Sequence, residues 1–298
     1  MENFSSIKQG AQSPAAAIGA VPLTADAQAS HPLRFGVAQF DRYDPLAEID
    51  ELAEWGFDYA EPAGVKIMQL SASEFSATVE RARDCRIHVE AMCTLLPADL
   101  KVVGPAVDLA RLRDYVGRAL ARAEALGART IMFGSPGSRN LPNGFSRDRA
   151  WAQLQEFLRW TGDEIVRNKY GSVIAIEPLR KAESNIINSV AEAYQLVLQT
   201  NHSKIQIVVD FFHLVEEGED PKILLKVKDH IAHLHFANPR GGRVFPRQAS
   251  ENPDYAPFFA NLRAIGYRGR LSLEAHTSDF HADAPRALAA LGQMAGLR

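Results

Sequence analysis

From residue 34 onward the chain alternates short, nearly continuous apolar runs with segments of helical period, and that alternation limits the architectures open to it. The runs cover 34–39, 57–63, 88–96, 129–135, 173–179, 205–213, 231–238 and 269–276. A stretch such as Ile205-Gln206-Ile207-Val208-Val209 is apolar on nearly every side chain. Strands buried on both faces by helices read this way, as in parallel sheets. Helix signals fall between the runs. Asp44-Pro45 and Asp220-Pro221 place a capping residue before a first-turn proline, and Gly56 follows Trp55 as a stop. Ser71 with Glu74, and Ser189 with Glu192, have the spacing of a capping box. Leu109, Leu112, Val116, Leu120, Ala123 and Leu126 form one apolar stripe closed by Gly127. Further helices are expected over 146–169, 257–265 and 284–295. Eight strands alternating with eight helices imply right-handed parallel crossovers. The count and the length favour an α/β fold closed as a (β/α)8 barrel; an open doubly wound sheet is the alternative.

Composition narrows the function classes. With 46% hydrophobic and 23% charged residues the chain is of ordinary globular make-up. Its 33 Lys and Arg against 36 Asp and Glu leave a net charge of −3, so no global attraction draws it to nucleic acid. No apolar run approaches the roughly 18–20 residues that cross a bilayer, and the best stretch, 15–23, contains Pro22. Cys85 and Cys93 are the only cysteines. That argues against a disulfide framework or a Cys-rich zinc site and suits a reducing, cytoplasmic setting. Residues 1–31 are rich in Ala, Ser and Gln without period and are expected to be a flexible tail, leaving 32–298 as the barrel. Ala27-Gln28-Ala29 keeps a cleaved leader as the alternative. No dinucleotide fingerprint or phosphate loop is present, and Gly134-Ser135-Pro136-Gly137 reads as a turn.

In a barrel the chemistry sits where the strands end. The fifth run ends Ile174-Ala175-Ile176-Glu177, the sixth Ile207-Val208-Val209-Asp210, the seventh His233-Leu234-His235, and the eighth Leu271-Ser272-Leu273-Glu274. Ionised carboxylates at the ends of buried strands are costly unless paired or coordinated, and three together repel one another. A divalent cation resolves the conflict. Glu177, Asp210, His235 and Glu274 are therefore the expected metal ligands. Three carboxylates and an imidazole suit Mn²⁺ first, with Mg²⁺, Co²⁺ and Zn²⁺ open. His233 points the same way as His235 and is assigned a supporting place, and His276 a place on the rim.

These motifs resemble the xylose isomerase-like barrels, in particular the sugar phosphate isomerase/epimerase group that includes ketose 3-epimerases. Glu177-Pro178-Leu179-Arg180-Lys181-Ala182-Glu183 is similar to that group's strand-5 motif of metal-binding and substrate-binding glutamates. Asp210-Phe211-Phe212-His213 resembles its metal-binding Asp and substrate-binding His. His233-Leu234-His235 and the passage from Ala264 to Glu274 resemble the last two ligand motifs. The group's substrate-binding arginine position is Gly241 here, between Arg240 and Arg243; the role would pass to Arg243, with Arg240 the other candidate and a pair of solvated loop arginines the alternative. The resemblance implies a metal-dependent isomerase or epimerase that abstracts a proton beside the carbonyl of a ketose, sugar phosphate or related polyol ketone to give an enediolate, with Glu177 and Glu274 as the catalytic pair. Glu183, His213, Arg243 and Glu61 would then bind substrate, with a structural ion pair the alternative for Glu61. It also implies a homodimer or homotetramer. A lyase or dehydratase acting on a keto-sugar such as a 3-keto-glycoside is the alternative outcome of the same chemistry. A DNA-repair endonuclease and a non-catalytic sugar-binding barrel rank below both.

Overall fold

A computed structural model of the chain describes residues 33–252 and 254–296, so the expectations for 1–31 lie outside the described residues. Nine strand segments pair in parallel throughout: β1 (Arg34–Ala38), β2 (Tyr59–Glu61), β3 (His88–Val89), β4 (Ala91–Met92), β5 (Thr130–Phe133), β6 (Val173–Ile176), β7 (Ile205–Asp210), β8 (Ile231–Phe236) and β9 (Arg270–Leu273). β3 and β4 are one expected run broken only at Glu90. β3 pairs with β2, β4 with β5, and β9 returns to β1, so the sheet closes on itself save for that break. The (β/α)8 architecture follows, with its third strand split.

The long helices α3 (Ala72–Asp84), α4 (Leu109–Leu126), α6 (Arg147–Arg167), α7 (Val190–Thr200), α10 (Tyr255–Ala264) and α11 (Phe280–Ala295) cover the sheet. Ser71 forms the full capping box with Glu74. Ser189 accepts from the Glu192 amide, but the Glu192 carboxylate takes the Asn188 amide instead, so that box is half made. Three boundaries differ from expectation. α1 (Ile49–Trp55) begins later than Asp44-Pro45 suggests, because Asp44 closes a turn by accepting from the Leu46 amide at 3.0 Å. α11 begins at Phe280, capped by Asp279, and runs through Pro285. Leu109 is 49% exposed, so the α4 stripe starts at Leu112. Short helices α2 (Gly64–Gln69), α5 (Pro136–Arg139) and α8 (Phe211–Glu216) are not expected from the sequence as separate elements, whereas α9 (Ile223–Val227) follows the Asp220-Pro221 start signal. They are too brief to display a period.

Side chains two apart on a strand share a face. In the bore this stacks Glu61 beyond Tyr59, Glu177 beyond Ala175, Asp210 beyond Val208, His235 beyond His233 and Glu274 beyond Ser272. Tyr59, Ala91, Met132, Ala175 and Val208 form the small inner core. Gly36 makes room for Tyr59, since a Cβ there would lie 2.3 Å from the ring. The larger apolar core lies between sheet and helices. No helix among the described residues is long and apolar enough to cross a membrane.

Candidate metal centre

Glu177 and Glu274 each stand one residue past a strand and prolong its ladder: the Glu177 amide donates to Phe133 O and the Glu274 amide to Phe236 O, both at 3.2 Å. Asp210 ends β7 and caps α8, its Oδ1 accepting from the Phe212 amide at 2.7 Å. His235 sits between Asp210 and Ser272 in the ladder register. One donor atom from each of Glu177, Asp210, His235 and Glu274 lies within 4.8 Å of all the others, and all four residues are buried. The structure thus brings together the four expected ligands.

The orientation of His235 follows from its neighbours. Its Nε2 lies 2.9 Å from Glu61 Oε1, an acceptor, so Nε2 carries the proton. Nδ1 then points at the carboxylates, 2.8 Å from Glu177 Oε1 and 3.1 Å from Glu274 Oε2. Between these carboxylates the ring favours a proton on Nδ1 as well; a cation at the centre would take the place of that proton, leaving a neutral ring that offers Nδ1 to the ion with the Glu61 carboxylate behind it. Glu61 has 0% exposure. Its Oε2 meets His233 Nε2 at 3.0 Å and the Ser272 hydroxyl, which in turn meets Tyr59 Oη at 2.9 Å. With both oxygens engaged by these partners, Glu61 is the support of His235, and no part of it opens to the mouth where substrate contact was expected. His233 takes its expected supporting place.

Electrostatics match this layout. Burial works against ionised Glu61, yet His233 and His235 hold it down at about 2. Burial pulls His233 down to about 4 despite Glu61. Burial disfavours charge on His235, but Glu274, Glu61 and Glu177 raise it well above the ordinary histidine range. Burial and the Glu274 charge push Glu177 up. Burial also opposes ionised Glu274, but His235 and Arg243 facing it keep it below the carboxylate range. The centre therefore calls for positive charge, and a hard divalent cation fits a set of three carboxylates and an imidazole. Gly134 leaves the space this set needs: a Cβ there would lie 2.4 Å from Glu177 Oε2.

Arg243 reaches the same carboxylates. Its Nη2 donates to Asp210 Oδ2 at 2.9 Å and to Glu274 Oε2, while Nε donates to Glu274 O at 3.0 Å. The guanidinium is sandwiched by Phe40 at 4.6 Å and Phe212 at 4.9 Å from the ring centroids. Arg240, the other candidate, is exposed. His213 is buried; the Arg180 amide donates to its Nδ1 at 3.2 Å, which turns Nε2 toward Asp210 Oδ2, 3.5 Å away. Glu183, partly exposed at the mouth, accepts from Arg180 Nε at 2.7 Å. His276 is exposed on the rim and Cys93 is a packed thiol that burial raises in pKa. Sequence reasoning missed Phe40, Phe212 and Arg180, which frame Arg243 and Glu183. An aromatic beside the Asp210 and His213 pair was the available signal.

The family described as xylose isomerase-like TIM barrel matches residues 49–295. An L-ribulose 3-epimerase of Methylomonas sp. strain DH-1 is 25% identical over 233 residues, 76% of this chain and 77% of that protein. A 3-dehydro-D-guloside 4-epimerase of Escherichia coli K12 is 30% identical over 112 residues, 37% of this chain and 41% of that protein. The crystal structure of a D-allulose 3-epimerase from Methylomonas sp. with D-allulose superposes with a TM-score of 0.74 at 20% identity, over 89% of this chain and 98% of that one.

Proposed function

Because the chain belongs to the xylose isomerase-like TIM barrel family, we propose that it is a metal-dependent epimerase or isomerase of a keto-sugar or related polyol ketone. The observation that carries this reading is the convergence of Glu177, Asp210, His235 and Glu274 within 4.8 Å at the ends of four neighbouring strands, together with relatives named as sugar epimerases. Glu177, Asp210, Glu274 and His235 Nδ1 would hold a divalent ion, Mn²⁺ by preference. When bound, such an ion supplies an electrophile for the carbonyl and adjacent hydroxyl of the substrate as negative charge develops there.

The chain's own residues do the rest. Glu177 and Glu274 enter the bore from β6 and β9, so their carboxylates reach the reacting carbon from two strands. One takes the proton beside the carbonyl and the other returns one to the opposite face, which inverts the centre. Arg243, Glu183 and His213 would bind hydroxyl groups: Glu183 is partly exposed, and the buried Arg243 and His213 stand beside Asp210. Arg243 is held for that task by its two aromatic neighbours. Glu61 fixes the His235 tautomer.

The test is a screen of ketoses, inososes and 3-keto-glycosides with Mn²⁺-loaded protein in deuterated water, followed by NMR. Deuterium in an intact, epimerised sugar is the expected result. Release of water or an aglycone assigns elimination instead. Glu177→Gln and Glu274→Gln should each slow the exchange by about 10²–10⁴-fold. Exchange that survives both substitutions at the parent rate sinks the assignment of these carboxylates.

A further inference from the structure

Arg139 is the largest fully buried side chain among the described residues, and it lies outside the cluster of carboxylates. It ends α5, in the segment 134–139 that follows β5. A cation without solvent is costly unless its surroundings compensate. Burial pulls Arg139 down to about 10, with Glu177 and Glu192 acting in the opposite direction. Its hydrogen bonds go to two backbone carbonyls. Nη1 donates to Phe133 O at 3.0 Å, Nη2 reaches Ile187 O at 3.5 Å, and Nε is buried without a partner.

Those two carbonyls have other tasks. Phe133 O also accepts from the Glu177 amide at 3.2 Å, and Ile187 O from the Leu179 amide at 3.1 Å. One guanidinium therefore bridges the two acceptors that fix the backbone of Glu177-Pro178-Leu179. The same segment lies on the Glu177 side chain itself. Gly134 passes so close that a Cβ would meet Oε2, and Ser135 next to it is held at φ 35°, in the left-handed region. Ser135 Oγ accepts from the Leu96 amide at 3.1 Å, which ties the segment to the neighbouring loop. Arg139 closes the segment back onto Phe133, the residue just before Gly134.

We propose that Arg139 is a positioning residue for Glu177: its fork sets the backbone from which that carboxylate projects and holds Gly134 against it. This rests on the metal-dependent reading above and extends it to a residue outside the centre. Two variants separate geometry from charge. Arg139→Lys keeps the charge but lacks a planar fork spanning both carbonyls. Arg139→Met keeps length and removes both. Mn²⁺ binding is measured by titration calorimetry on purified protein whose circular dichroism matches the parent, alongside kcat and KM on the substrate found in the screen.

The expected result is Mn²⁺ affinity lower by about 10–100-fold in both variants, with kcat reduced and KM nearly unchanged. Parent-like affinity and kcat in either variant overturn the proposal; if Lys alone restores them, charge and not the fork is what matters. Failure of both variants to fold also overturns it, because the residue is then simply part of the core. If the unaltered chain binds no Mn²⁺, the functional reading itself falls and takes this proposal with it. Binding by the unaltered chain with no change in the variants removes this proposal alone.

Discussion

At His235 the chemistry depends on which ring nitrogen carries the proton. Glu61 accepts from Nε2, so Nδ1 is the atom offered to the centre. Glu61→Gln keeps the shape but can donate as well as accept, which loosens that choice. It should weaken Mn²⁺ binding by about 10–100-fold, read by titration calorimetry, with helical content unchanged. His233 supplies a pH signature. Its pKa is about 4 in the folded chain against about 6.5 for a free histidine. The stability this neutral ring contributes is complete above pH 6.5 and is lost as pH falls toward 4, because the unfolded chain then takes up a proton the folded one resists. In chelator-treated protein, urea unfolding should show a decline of up to about 3 kcal/mol across that window, and His233→Gln should flatten it. An unchanged slope in that variant contradicts the assignment. The four residues that converge, Glu177, Asp210, His235 and Glu274, were legible in the sequence because each is a polar residue closing an apolar run. For Glu61 the sequence offers a structural ion pair but not its partners, His233 and His235, since they sit on β8 and only closure of the barrel joins them to it.

At the scale of elements, the strands and long helices were readable from period and caps, and the short pieces at the strand ends were not. α5 is the clearest case. Gly134-Ser135-Pro136-Gly137 reads as a turn, yet it begins the segment that packs on Glu177 and ends in Arg139. Gly134→Ala tests that packing directly. The added methyl meets Glu177 Oε2, so the carboxylate must move. Mn²⁺ affinity should fall at least about 10-fold by calorimetry, while the urea midpoint shifts far less than a core truncation would cause. Equal affinity in this variant would mean that Glu177 has room the structure does not show. Capping, by contrast, was predictable to the residue at Ser71, where the hydrogen bonds are local, and only half so at Ser189, where Glu192 turned to another amide.

For the whole molecule, Glu90 is the point where the third strand passes from pairing with β2 to pairing with β5. The backbone carbonyl of Glu90 accepts from the Arg129 amide at 2.8 Å. Its carboxylate meets Arg34 at 2.6 and 2.7 Å and Arg270 at 3.4 Å, and Arg270 also donates to Thr130 Oγ1 at 2.9 Å. These residues come from the starts of β1, β5 and β9, the rim opposite the carboxylates. Glu90→Ala leaves two partly buried arginines without their shared acceptor and should lower unfolding stability by about 2 kcal/mol in urea titrations, with Mn²⁺ affinity unchanged. The barrel thus carries its fastening at one end and its reactive groups at the other. A chain built this way can be toughened or softened like a barrel hoop, from the far rim, while the mouth is left free to be reshaped for a different guest.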